Sequence, residues 1–120
     1  MNTLKIGITS RDTFKKRTLA IARGEYKPGK NDPNVWFESL ESLAQILSEQ
    51  NRALLKLINE KHPQSLSELA EQSGRDKSSL SRTLRNMERC GLIHFEQGPN
   101  RQLAPKVNYS GVEFEISFQG

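Results

Sequence analysis

Residues 65–91 constrain the fold more than any other stretch of this chain. Ser65-Leu66-Ser67-Glu68 is a capping-box sequence, in which a serine hydroxyl and a glutamate three residues on satisfy the free N–H groups of a helix start. The helix it opens is expected over 66–73 and stops at Gly74, which can turn left-handed without a Cβ clash. Asp76 then caps a second helix, 77–90, which Gly91 ends. Ala70 is small enough for two helices to approach closely, and Gly74 four positions later permits a sharp turn between them.

The second helix is two-faced. Leu80, Leu84 and Met87 recur at spacings of four and three and define an inward side. Ser78, Arg82, Arg85 and Arg89 fall on the opposite side of the same wheel. Guanidinium groups donate bidentately to guanine O6 and N7 or to phosphate, and small hydroxyls allow close approach to base edges. Ser78, Ser79 and Arg82, in the first turns, are therefore the candidates for base contact, with the helix amino terminus favouring a phosphate. Lys77, Arg85 and Arg89 are candidates for backbone phosphates, and Asn86 completes the candidate set on this helix. An arginine stripe can also serve only to keep a face solvated; here its place after the Ala70…Gly74 turn favours DNA.

On the amino-terminal side, Leu40, Leu43, Ile46 and Leu47, then Leu54, Leu55, Leu57 and Ile58, read as helices over 38–47 and 49–61. Ser48 caps the second, and His62-Pro63 ends it. Residues 4–9 alternate as a strand, and Ser10 caps a helix over 11–23 with a narrow apolar stripe of Phe14, Thr18 and Ile21, closed by Gly24. Residues 26–34 are dense in turn formers and read as a linker. Beyond Gly91 the period becomes that of strands, at 92–96, 106–109 and 112–118, with a turn over 97–102 that carries Arg101 at its tip.

Helices followed by a hairpin give the order of a winged helix-turn-helix. The expected class is α+β, mainly α, with a strand-helix arm and linker over 1–34 and a DNA-binding domain with a C-terminal β-wing over 35–120. Arg101 at the wing tip suits a minor groove or a phosphate.

The net charge of +4 is unevenly spread. Residues 1–30 hold 8 basic and 2 acidic groups, whereas 31–60 hold 2 and 5, so a uniformly basic coat is excluded. No apolar run approaches the length of a membrane span, and the amino terminus lacks a secretory h-region, so a cytoplasmic protein without membrane contact is expected. One cysteine, Cys90, permits no internal disulfide, and with two histidines beside it no metal or other cofactor is expected. Cys90 reads as a small core residue, with a thiol activated by Arg89 as the alternative. No nucleophile elbow, phosphate-binding glycine loop or spaced carboxylate pair is present, so no enzyme is expected.

Trp36-Phe37-Glu38-Ser39-Leu40-Glu41-Ser42-Leu43, Ser81-Arg82-Thr83-Leu84 and Cys90-Gly91-Leu92-Ile93 carry a resemblance. With Ala20-Ile21-Ala22-Arg23-Gly24-Glu25 in the arm, the chain resembles small transcriptional regulators of the MarR/ArsR-like winged-helix superfamily. The resemblance implies a dimeric binder of double-stranded DNA and, since some members accompany toxin genes, an antitoxin-like role. The chain departs from that pattern in its wing, whose basic groups are only Arg101 and Lys106. The expectation is a sequence-specific regulator, a homodimer on an inverted repeat, with the arm and residues 112–118 pairing with the partner subunit or a second protein. The alternative is an antitoxin-like module that binds a toxin and autoregulates its operon. RNA binding would call for exposed stacking aromatics, which the patterned aromatics here do not offer.

Overall fold

A computed structural model describes residues 2–116 and 118. The chain is mixed α and β, with more residues in helix than in strand. It divides into two compact units, one of residues 2 and 45–110, the other of residues 3–44 with the described residues from 111 onward. Among the described residues no helix is long and apolar enough to cross a membrane.

In the first unit, α3 (Glu49–Lys61), α4 (Leu66–Ser73) and α5 (Lys77–Arg89) precede the antiparallel hairpin of β3 (Ile93–Gln97) and β4 (Leu103–Val107). The expected caps form: Ser48 accepts from the Asn51 N–H, Ser65 from Glu68 and Asp76 from Ser79. Gly74 takes the left-handed conformation at φ 71°, and its N–H bonds to the Ala70 carbonyl, which stops α4. One apolar side from each element meets in a core of Leu54, Ile58, Leu69, Leu80, Leu84, Met87, Leu92, Ile93 and Ala104. The second strand of the hairpin starts three residues earlier than the expected 106–109, because Pro105 sits inside it opposite Phe95. A two-stranded ribbon is all edge, so a residue without an N–H is tolerated there.

The second unit differs more from expectation. β1 (Thr3–Ile8), α1 (Arg11–Ala22) and β2 (Val35–Phe37) form a βαβ unit with β1 and β2 parallel. β5 (Gly111–Ile116) lies parallel along the other side of β1, giving the order β2-β1-β5. Both edges of the arm's strand are thus paired within its own chain, and β5 groups with the arm in the second unit. Of the run 112–118, Ser117 lies outside the described residues. α2 (Leu40–Ile46) begins two residues later than the expected 38, because the Ser39 hydroxyl accepts from the Ser42 N–H at 3.1 Å.

The expected linker 26–34 is fastened to this unit. The Asn34 N–H bonds to the Lys5 carbonyl at 2.9 Å, and Lys5 Nζ reaches Asn31 at 3.2 Å. Asp32 accepts from Arg17 at 3.2 Å and from the Tyr26 hydroxyl. The Arg17 guanidinium lies 4.9 Å from the Trp36 ring centre and 5.4 Å from that of Tyr26, a double cation–π contact. Gly7 makes room for Trp36: a Cβ there would fall 2.4 Å from the indole.

This cluster predicts an acid transition. Hydrogen bonds from Tyr26 and the Gly29 backbone, reinforced by Arg17, hold the Asp32 carboxyl below its ordinary value of 3.8. A depressed folded-state pKa means that the contribution is complete above that ordinary value and is lost as pH falls through the folded pKa. Fluorescence of Trp36, the sole tryptophan, should change on acidification in the parent, and Asp32→Asn should abolish that step.

Candidate nucleic-acid interface

α5 forms because its start is capped and its apolar residues find a core. Asp76 accepts from the Ser78 hydroxyl and from the Ser79 N–H at 3.1 Å, and these bonds keep its carboxyl below the ordinary range. Leu80 and Met87 are 0% exposed and Leu84 1%, so the orientation of the helix about its axis is fixed by burial. Lys77, Ser78, Ser79, Arg82, Arg85, Asn86 and Arg89 are all exposed as a result. Among the described residues, no ion pair within 4 Å involves Lys77, Arg82, Arg85, Arg89 or Arg101.

The candidates do not form one uniform stripe. Lys77, Ser81, Arg85 and Glu88 border a cleft that α5 shares with the first turn of α4 and with Phe95, Gln102 and Leu103 of the hairpin region. Ser78, Arg82 and Arg89 lie outside it. Lys77 and Arg85 are therefore grouped with the hairpin, and Arg82 stands apart from them on the open face.

Two hydrogen bonds at the helix start bear on the expected contacts. The amino terminus of α5 does not present an open phosphate seat, because the Asp76 carboxylate occupies it and would repel a second anion. The Ser78 hydroxyl is already donating to Asp76 and must leave that bond before it can donate to a base. Burial pushes the Cys90 thiol up, opposite to the shift an activated thiolate needs.

Arg101 lies at the hairpin tip with φ 63°, next to Asn100 at 58°. Consecutive left-handed residues other than glycine are costly and fold the tip sharply. The turn is closed by Gly98 N–H to the Gln102 carbonyl at 2.6 Å and Gln102 N–H to the Pro99 carbonyl at 3.1 Å.

Sequence reading missed Arg75. Its guanidinium donates to Asn51 Oδ1 at 3.2 Å and Thr83 Oγ1 at 3.3 Å, and so ties α5 to α3. Its position between Gly74 and Asp76 carries no periodic signal, and only the folded pair of helices brings those acceptors together. On the hairpin, His94 pairs with Glu96 at 3.4 Å and with Asn108, a surface arrangement. No group of three or more potential metal ligands is gathered among the described residues.

The model of the HVO_A0114 family matches residues 46–114, more than half of the chain. Neither a curated protein nor a solved structure matches it.

Proposed function

The chain belongs to the HVO_A0114 family, and we propose that it is a sequence-specific, non-enzymatic DNA-binding regulator whose helix α5 enters the major groove. In this reading α3, α4 and α5 form a winged helix-turn-helix of the MarR/ArsR-like kind, with β3 and β4 as its wing. The observation that carries the reading is α5 itself, buried to 0–1% along Leu80, Leu84 and Met87 and lined on its exposed side by Lys77, Arg82, Arg85 and Arg89. Four cations along the face that burial leaves open suit an anionic partner.

Arg82 on the open face reads base edges, with Ser79 and Asn86 beside it. Lys77 and Arg85, on the side toward the hairpin, hold backbone phosphate, and Arg89 adds a further cation near the helix end. Arg101 at the wing tip reaches an adjacent phosphate or minor groove. One such helix spans only a few base pairs, so the reading includes a homodimer on an inverted repeat with half-sites about one helical turn apart. A protein partner is the second reading, favoured by the exposed edge of β5.

Titration of the intact chain onto the duplex upstream of its own coding region, at two salt concentrations, tests the phosphate assignment. Arg85→Ala should weaken binding to every sequence alike and reduce the slope of log K against log salt by about one. An unchanged slope would remove Arg85 from the contact.

A further inference from the structure

The sheet of the second unit ends abruptly on one side. β5 occupies the last place in the order β2-β1-β5 and pairs with β1 over its whole length, from Thr3↔Gly111 to Ile8↔Ile116. No strand lies along its outer side among the described residues. The register sets Val112, Phe114 and Ile116 beside Leu4, Ile6 and Ile8 on one face. On β1 this apolar layer is buried, with Ile6 2% exposed, while on β5 Phe114 is 54% and Ile116 45% exposed. Parallel sheets are ordinarily covered on both faces, so an apolar layer open at its edge is an unfinished one.

The protection this edge carries is charge, that of Glu113 and Glu115. Strands that must stay unpaired are blunted by lysine, proline or a bulge. Gly111-Val112-Glu113-Phe114-Glu115-Ile116 has none of these, and its six residues pair without interruption. Its only charges are Glu113 and Glu115, on the face opposite the apolar residues. Glu113 accepts from the Thr3 hydroxyl at 3.3 Å, and no ion pair among the described residues involves either carboxylate.

We propose that the outer edge of β5 receives an extended segment of a second polypeptide in which apolar residues alternate with lysine or arginine. Backbone hydrogen bonds would extend the sheet by one strand, the apolar residues would continue the layer beyond Phe114 and Ile116, and the cations would meet Glu113 and Glu115. A second copy of β5 fits poorly. Two-fold antiparallel pairing places Glu113 and Glu115 on the same face as their counterparts, and like charges across strands repel. β5 and α5 belong to different units, and the edge proposal uses no residue of the DNA-binding reading.

The test uses the intact chain and two capped six-residue peptides, one alternating valine with lysine and the other valine with glutamate. Amide hydrogen exchange is followed over residues 111–116. At a concentration ten times its Kd, the lysine peptide should slow exchange at alternate β5 amides about tenfold, and the glutamate peptide should leave them unchanged. A Glu113→Lys, Glu115→Lys variant should reverse the preference; if it does not fold, the two-peptide comparison on the parent still decides. The proposal is overturned if neither peptide slows exchange, if both do so equally, or if the folded double variant keeps the parent's preference. It is equally overturned if the β5 amides are already protected in a peptide-free dimer.

Discussion

Arg82→Ala should lose about 1–3 kcal/mol of discrimination between the upstream duplex and a scrambled one of the same length, while the variant stays folded. The expectation follows from where the side chain stands. Arg82 is exposed, lies outside the cleft bordered by Lys77 and Arg85, and takes part in none of the ion pairs among the described residues. A guanidinium bidentate to guanine carries sequence information that a phosphate contact does not, so its loss should fall on the preferred duplex far more than on the scrambled one. Competition binding at fixed salt measures the ratio directly. Because surface substitutions usually change stability by no more than about 0.5 kcal/mol, an unchanged Tm separates this result from unfolding.

Leu80→Ala should do the reverse, destabilising the chain by about 2–5 kcal/mol. Leu80 is 0% exposed, one turn into α5, within the core that Leu69, Leu84 and Met87 share. Truncation removes apolar contact and leaves a cavity that capped, short helices are poorly able to close. Each kcal/mol lost should lower Tm by roughly 4–8 °C for a unit of this size. Thermal unfolding followed by circular dichroism checks this, and a fall of less than one degree would contradict the assignment of Leu80 to the core. Together the two variants separate the buried face of α5 from its exposed one.

How far the sequence alone leads depends on the range over which each signal acts. Ser48, Ser65 and Asp76 announce helix starts within three residues of themselves, and all three caps form where expected. The alternation of Leu80, Leu84 and Met87 against Arg82, Arg85 and Arg89 is equally local, so the exposure of the candidate residues was legible. The pairing of β1 with β5 was not, because those strands are separated by nearly the whole chain and each alternates without naming its partner. β2 is only three residues long and follows a turn-rich stretch, so no periodic run marks it. The same holds for Asp32, whose neighbours Pro33 and Asn34 suggest a loop while its partner Arg17 comes from α1 and Tyr26 from the other end of the same stretch. Pro105 is the opposite case, since a proline ordinarily argues against a strand and here is accommodated by an edge.

The division into two units also alters how charge is understood. The strongly basic first thirty residues do not form a free arm; Arg17 is committed to Asp32 and Arg11 to Glu38 at 2.6 Å. The Arg11 pair is exposed on both sides and contributes little stability in water. Among the described residues no ion pair involves the cations of α5, nor Lys15, Lys16, Arg23, Lys27 or Lys30 of the first thirty residues.

If α5 lies in the major groove it covers guanine N7, which dimethyl sulfate methylates and which opens only onto that groove. Dimethyl sulfate footprinting of the intact chain on its upstream duplex is therefore the most direct measurement. It should show guanines protected in two patches about one helical turn apart, with protection lost in Arg82→Ala. Binding without protection of any guanine N7, or protection that persists in the folded Arg82→Ala variant, would contradict it.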